Sequence, residues 1–162
     1  MTPPSPMRRR AILAFMLDRP GVLNKIAMLI RRKMYNVETL TVCKTNQRGV
    51  SRMTITLRED SDDKMHQVVK QIEKSTEVIS AKELDVNESF WREVAIVKFE
   101  IDALQMRDLE KAYRFEILDS QHDGCFIVQL AGTSQSIDAF IEAVGSDRII
   151  EVARSGFTAM EK

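Results

Sequence analysis

The strongest constraint on the fold is an order of strands and helices that occurs twice along the chain. In the first half, alternating apolar residues predict four strands, over residues 10–17, 36–45, 51–58 and 77–84. Apolar residues at helical spacing predict two helices, over residues 20–33 and 63–74. The resulting order is βαββαβ, the split arrangement of ferredoxin-like units.

The second half repeats this order. It predicts strands over residues 92–101, 113–120, 125–130 and 149–153, with an Asp123-Gly124 turn signal between the middle two. Helices are predicted over residues 103–112 and around Ile137–Val144. We therefore predict an α+β protein of two tandem ferredoxin-like βαββαβ units, over residues 7–84 and 93–157, joined by a linker over 85–92. Each sheet would carry helices on one face and leave the other face and an edge strand open, a surface that small units often cover by dimerising.

Charge and composition exclude several classes of function. The 24 basic and 24 acidic side chains balance, which argues against nucleic acid binding. The basic runs Arg8–Arg10 and Arg31–Lys33 are predicted to be solvated surface or partner-facing charge. No apolar run approaches the roughly 18 residues of a membrane span, and the N-terminal residues do not resemble a signal peptide. Cys43 and Cys125, predicted as small core residues, fit a reduced, cytoplasmic location.

The segment from Asp18 to Thr45 offers the best candidate binding site. A Pro20-Gly21 turn leads into an amphipathic helix, whose first amides have no partner within the helix and can hold a small carboxylate. Asp18 could hold the ammonium group of the same ligand. The alternatives are a tight-packing role for Gly21, a helix cap at Asp18, and a polar strand-start role for Asn36.

No constellation in the sequence supports catalysis. A Gly-rich phosphate loop, zinc-ligand spacing around His66 or His122 and a Ser-His-Asp triad are all absent, so we predict a non-catalytic chain that holds no metal or cofactor of its own. Thr133 and Ser134 are typical of a helix cap. Glu151 and Arg154 are either a partner-binding edge or ordinary solvent-facing residues.

Several segments resemble a known family, the regulatory small subunits of acetolactate synthase (acetohydroxyacid synthase). They are DRPGVLNKIAMLIRRKMYNVETLTV, SRMTITL, FIVQLAGTSQSIDAFIEAV and IIEVARSG. The resemblance implies that the first unit is an ACT domain that binds a branched-chain amino acid, commonly valine. It implies that the second unit helps to activate a large catalytic subunit, which carries thiamine diphosphate, a divalent metal and FAD. It also implies a homodimer, and a complex that makes the committed intermediate of valine, leucine and isoleucine synthesis.

The same resemblance assigns effector-binding residues. The effector loop falls on Asp18, Gly21, Val22 and Leu23, and a second contact patch, from across the dimer, falls on Asn36 and Val37. Many relatives have glycine where this chain has Met34. Since methionine adopts a left-handed backbone reluctantly, we expect the helix to end differently here.

Two other classes of function remain open at this point. One is a free-standing amino-acid sensor that acts on another protein, and the other is a small enzyme of an unrecognised kind. Co-purification with a thiamine-diphosphate enzyme would separate the first from a regulatory subunit, and turnover of pyruvate by the isolated chain would reveal the second.

Overall fold

The chain is divided into two units, one of them built from both ends of the chain. The computed structural model describes residues 8–85, 87–121 and 124–162. The first unit comprises the described residues up to Phe90 together with Phe157–Lys162, and the second comprises those of Trp91–Gly156. Four residues that belong to segments or sites predicted from the sequence lie outside the described residues. They are Met7 at the start of the predicted first domain, Val86 in the predicted linker, and His122 and Asp123.

The first unit has the predicted βαββαβ order. Its elements are β1 (Arg9–Leu17), α1 (Val22–Arg32), β2 (Val37–Lys44), β3 (Val50–Arg58), α2 (Asp62–Glu73) and β4 (Val78–Leu84). The strands form an antiparallel sheet in the order β2-β3-β1-β4. The two central strands, β3 and β1, are the most deeply buried, and the predicted ferredoxin-like arrangement is confirmed.

The core of the first unit lies between this sheet and its two helices. Ile12 and Ala14 of β1 lie opposite Ile55 and Met53 of β3 in the register, and all four are fully buried. The helices contribute their apolar stripes, with these residues buried: Val22, Ile26 and Ile30 of α1, and Met65, Val68, Val69 and Ile72 of α2. The spacing of the apolar residues therefore identified the buried helix faces.

The opposite face of this sheet is covered, which the sequence did not predict. A final strand, β9 (Thr158–Glu161), pairs with β5 (Ser89–Glu100). Phe157 and Ala159 are 4% and 1% exposed. Thr41 Oγ1 donates to the Phe157 carbonyl at 2.6 Å, and the Arg52 guanidinium donates to the Ala159 carbonyl. The open face expected for the first unit is thus wrong, because residues 157–162 carry apolar side chains to it. We call these residues the C-terminal strap.

The second unit repeats the fold of the first. After β5 it contains α3 (Ala103–Ala112), β6 (Glu116–Ser120), β7 (Cys125–Gly132), α4 (Ser134–Val144) and β8 (Ile149–Arg154). Its sheet order is β6-β7-β5-β8, the counterpart of the first sheet, and every pair in it is antiparallel. The predicted second βαββαβ unit is confirmed.

An aromatic cluster fills the core of the second unit. Phe140 of α4 contacts the rings of Phe99, Tyr113 and Phe115 at centroid distances of 5.9, 5.5 and 5.4 Å. The predicted alternation along β5 holds, since Ala95, Val97 and Phe99 are fully buried. On the other face of β5, Val94 and Ile96 are exposed. The expectation of an open sheet face is therefore confirmed for this unit.

Two predicted burial states are wrong. Cys43 is exposed, because it lies near the end of the edge strand β2, whose last three residues are all exposed, whereas Cys125 is buried as predicted. Arg10, predicted to be solvated or partner-facing, is only 5% exposed. Its side chain lies on the helix face of β1, where Arg10 Nη2 donates to Glu83 Oε2 at 2.6 Å and Arg10 Nη1 to Asp62 Oδ1 at 2.7 Å. No helix among the described residues is long and apolar enough to cross a membrane.

Candidate effector site

The start of α1 is open to solvent. The helix begins at Val22, two residues later than predicted, so Pro20 lies in the turn before the helix and not in its first turn. Gly21 is the N-cap residue and has a left-handed backbone, with φ of 86°. A Cβ atom at this position would meet nothing within 4 Å. A tight-packing role for Gly21 is therefore excluded. The absence of a side chain allows the left-handed backbone angle and leaves the space in front of the helix open.

The other three helices among the described residues have capped N-termini. Ser61 accepts a hydrogen bond from the Lys64 amide of α2, Thr133 from the Ser136 amide of α4, and Asp102 from two amides of α3. Gly21 provides no such side chain. The amides of Leu23 and Asn24, which precede the first possible intrahelical bond, thus remain free to bind an anion.

Contacts from neighbouring loops hold this turn in place. The Leu17 amide donates to the Glu77 carbonyl at 2.8 Å, and the Asp18 amide donates to the Gly49 carbonyl at 2.9 Å. Lys25, the fourth residue of α1, forms an ion pair with the Glu77 carboxylate. This hydrogen bond from Lys25, with help from Thr76, lowers the pKa of Glu77 to about 2. Lys25, the lysine of α1, is therefore paired with Glu77, and the backbone amides at the helix start are available to an anion.

Asp18 lies beside the open helix start and does not cap it. Its side chain is exposed, and its nearest charged partner is Lys44, with 4.0 Å between Asp18 Oδ2 and Lys44 Nζ. An exposed pair at this distance contributes little to stability. The carboxylate is therefore accessible to a ligand, and the helix-cap alternative for Asp18 is excluded because Gly21 is the N-cap residue.

A groove lies at the other end of α1. Asn36 and Val37 line it together with Ile30, Tyr35 and Leu40, and its volume is about 550 Å³. The Tyr35 hydroxyl donates to the Lys64 carbonyl at 3.3 Å, which fixes one wall. Sequence reasoning missed Ile30, Tyr35 and Leu40 as lining residues. Their proximity to Asn36 in the chain was the available signal.

The helix exit beside this groove has a backbone typical of glycine. Met34 has φ of 60° and is the one non-glycine residue with a positive φ in the described part of the chain. Its side chain is 92% exposed. The helix therefore ends in the left-handed conformation that glycine favours, although methionine occupies the position, and the expectation of a different ending is wrong.

The predicted effector residues form two groups in one chain. Asp18, Gly21, Val22 and Leu23 lie at the start of α1, whereas Asn36 and Val37 lie beyond its end. The 11 residues of α1 span about 16 Å at ~1.5 Å of rise per residue. Val22 is buried in the core, so within its group the side chains of Asp18 and Leu23 are the exposed ones. A single small ligand cannot contact both groups within one chain.

The remaining sequence candidates have structural roles or are exposed. Arg154 forms ion pairs with the buried Glu93 and with Asp138, whereas Glu151 is exposed. Thr133 is the predicted cap of α4, and the Ser134 hydroxyl donates to Glu93 Oε1 at 2.6 Å. His66 is exposed on α2. Over residues 8–85, 87–121 and 124–162, no group of three His, Cys, Asp or Glu side chains could hold a metal ion.

Comparison with known proteins identifies both units. Residues 12–80 match the AHAS small subunit-like ACT domain, and residues 92–162 match the small subunit of acetolactate synthase. The chain is 34% identical to a probable acetolactate synthase small subunit of Methanothermobacter thermautotrophicus, over 93% of this chain and 91% of the relative. It is 31% identical to the acetolactate synthase isozyme 3 small subunit of Escherichia coli, over 95% and 96% of the two chains.

A solved structure agrees with these relatives. The acetolactate synthase small subunit of Thermotoga maritima superimposes with a TM-score of 0.88 at 27% identity, over 96% of this chain and 98% of the other. The sequence relatives, the matches to the two units in order and this shared fold all point to one family. The chain belongs to the family of acetolactate synthase small subunits, and its first unit is an ACT domain.

Proposed function

We propose that this chain is a regulatory subunit that binds a branched-chain amino acid, valine above all, and controls a catalytic acetolactate synthase subunit. In this role it activates the catalytic subunit and transmits feedback inhibition within valine, leucine and isoleucine synthesis. The chain itself performs no catalysis. Thiamine diphosphate, a divalent metal and FAD belong to the catalytic subunit, and the complex acts in the cytoplasm.

The observation that carries the proposal is the uncapped N-terminus of α1. The left-handed Gly21 leaves space in front of the Leu23 and Asn24 amides. These amides and the positive end of the helix dipole suit the carboxylate of an amino acid. The exposed Asp18 carboxylate suits its ammonium group. The corresponding helix of the second unit is closed by a capping box at Asp102, so we propose one such site per chain.

The site is completed by a second copy of the chain. The start of α1 and the groove at Asn36 and Val37 lie about 16 Å apart along the helix, too far for one small ligand. In a two-fold dimer, the loop of each copy can meet the groove of the other, which gives two equivalent sites. The apolar Ile30, Val37 and Leu40 in that groove suit an aliphatic side chain. We therefore propose a homodimer with the effector at its interface.

The second unit favours a subunit over a free-standing sensor. A sensor needs only an ACT domain, but residues 92–162 match the small subunit of acetolactate synthase. The E. coli small subunit also aligns with this chain over nearly the whole length of both proteins. We propose that this unit contacts the catalytic subunit.

The experiment that tests the effector site places a carboxylate at its centre. In Gly21→Asp, the new charge lies near the proposed position of the ligand carboxylate. Two like charges about 4 Å apart repel by roughly 1 kcal/mol in water and more when partly buried. We expect valine affinity, measured by calorimetry on the full chain, to fall at least tenfold, about 1.4 kcal/mol. Activation of the catalytic subunit should persist, which gives a feedback-resistant complex.

Gly21→Asn is the matched control, because it adds a side chain of the same shape without charge. Asparagine also tolerates a positive φ better than most residues. We expect Gly21→Asn to bind valine more tightly than Gly21→Asp does. Normal inhibition by valine in a folded Gly21→Asp complex would place the effector elsewhere.

Reconstitution with the catalytic subunit tests the regulatory role. Valine should change the affinity between the subunits, and linkage then requires the catalytic subunit to change valine affinity by the same factor. A typical coupling is about 1–3 kcal/mol. Failure of the two subunits to associate in sedimentation would instead support the free-standing sensor.

A further inference from the structure

The second unit contains a groove that the proposed effector site does not use. It lies between α3 and α4 and has a volume of about 370 Å³. Its floor is apolar, since Ile101, Leu109 and Val144 line it and each is at most 7% exposed. All of its lining residues belong to the second unit. A groove of this size with an apolar floor is typical of a small-molecule site.

Two alanines leave this groove open. Ala112, at the end of α3, and Ala143, near the end of α4, both line it and are exposed. Ala112 shares one helix face with Asp108 and Leu109, which precede it by four and three residues. A larger side chain at either alanine would project into the groove. The available volume therefore depends on small residues at these two positions.

Hydrogen bonds fix the walls of the groove in place. The Tyr113 hydroxyl donates to the Ala139 carbonyl at 3.2 Å, which ties the end of α3 to α4. The Arg148 amide donates to the Gly145 carbonyl at 3.1 Å, and the Arg148 carbonyl accepts from the Glu100 amide at 3.0 Å. The groove is thus held open by the fold, and a ligand would not need to order it.

Opposite charges lie along its rim. The Arg148 guanidinium has no ion pair or hydrogen bond with any residue in the described part of the chain. Asp108 has one charged partner there, the exposed Lys111, with 3.2 Å between Lys111 Nζ and Asp108 Oδ1. An exposed pair of this kind is weak and can be displaced. The C-terminal ends of α3 and α4 add negative potential on the Ala112 and Val144 side.

We propose that this groove is a second binding site, for a small aliphatic α-amino acid. Arg148 binds the carboxylate, Asp108 and the helix ends attract the ammonium group, and the aliphatic side chain lies on the floor of Ile101, Leu109 and Val144. Burial of that side chain against apolar residues favours binding. This inference does not rest on the site at α1, because its residues all lie in the other unit.

Methyl NMR of the full chain tests the proposal site by site. Ile101, Leu109 and Val144 carry methyl groups that report on the groove, and Leu23 reports on the start of α1. We expect valine, added at about 10 mM so that a site with Kd of about 1 mM is mostly filled, to shift the three groove signals. In Arg148→Met, valine affinity at these signals should fall at least tenfold, whereas in Gly21→Asp it should be unchanged.

Three controls separate this site from general effects. Arg114→Met makes the same chemical change at an exposed arginine outside the groove and should leave the groove titration unchanged. Ala143→Leu fills the groove and should abolish the shifts. The 2-oxo acid analogue of valine lacks the ammonium group and should bind at least tenfold more weakly.

The proposal is overturned if valine leaves the methyl signals of Ile101, Leu109 and Val144 unmoved. It is equally overturned if those signals respond normally in both Arg148→Met and Ala143→Leu. Either result would leave the site at α1 unaffected, because Leu23 reports on it separately. Equal binding of the 2-oxo acid would overturn the assignment of Asp108 to an ammonium group.

Discussion

Replacement of Met34 by glycine should stabilise the protein. Met34 has φ of 60°, a left-handed angle at which its Cβ atom is strained. Its side chain is 92% exposed, so few packing contacts would be lost with it. The backbone angle is therefore the main feature that the substitution changes.

The expected gain follows from two opposing contributions. A left-handed backbone costs a non-glycine residue about 1–2 kcal/mol. Glycine offsets part of this gain, because the unfolded chain is more flexible at a glycine and loses more entropy on folding, at a cost of roughly 0.5–1 kcal/mol. We expect a net gain of about 0.5–1 kcal/mol in the free energy of unfolding. For a chain of 162 residues, each 1 kcal/mol raises Tm by roughly 2–4 °C.

Urea unfolding of the full chain measures this gain, with two neighbouring substitutions as controls. Met34→Ala removes the same exposed side chain but keeps the strain, so its stability should stay within about 0.5 kcal/mol of the parent protein. Lys33→Gly acts one residue earlier, where φ is −93°, and should lose roughly 0.5–1 kcal/mol because no strain is relieved. If Met34→Gly is no more stable than Met34→Ala, backbone strain at Met34 is not the cause.

Three further predictions concern the C-terminal strap and two ion pairs, Glu93 with Arg154 and Glu77 with Lys25. Phe157→Ala should destabilise the first unit by about 3 kcal/mol in urea unfolding, while Met160→Ala, at a 65% exposed position, should change stability by less than about 0.5 kcal/mol. Glu93→Ala should cost about 2–3 kcal/mol because it leaves Arg154 without its buried partner, whereas Glu151→Ala at an exposed position should have little effect. Lys25 lowers the pKa of Glu77 from 4.5 to about 2, so its stabilisation is complete above pH 4.5 and is lost as the pH falls toward 2. Glu77→Gln should flatten the pH dependence of stability in that window, and an unchanged acid-unfolding curve would contradict the ion pair with Lys25.

The regular elements were predictable from the sequence because their apolar spacing is strong. The four buried positions of α2, Met65, Val68, Val69 and Ile72, follow the helical repeat without a break. Along β5, buried and exposed residues alternate as predicted. In both cases the local pattern and the core demand the same conformation, so tertiary contacts do not override it.

The errors lie where a contact joins residues distant in sequence. The strap was missed because Thr158–Glu161 is short, and its burial depends on Thr41 and Arg52, more than 100 residues earlier. Arg10 lies in a basic run typical of surface, and only the folded sheet brings Glu83 beside it. At α1, the Pro20-Gly21 turn located the candidate site, but the left-handed angle of Gly21 and the free helix start required the structure.

The strap also determines when the first unit can finish folding. Because the first unit includes Phe157–Lys162, the second unit is an insertion within it, not a domain that follows it. Protein chains generally fold from the N-terminus during synthesis. During synthesis on the ribosome, one face of the first sheet therefore stays uncovered until residues 157–162 have been released. We expect nascent chains to depend on chaperones through this interval, and chains that stop short of Phe157 to aggregate.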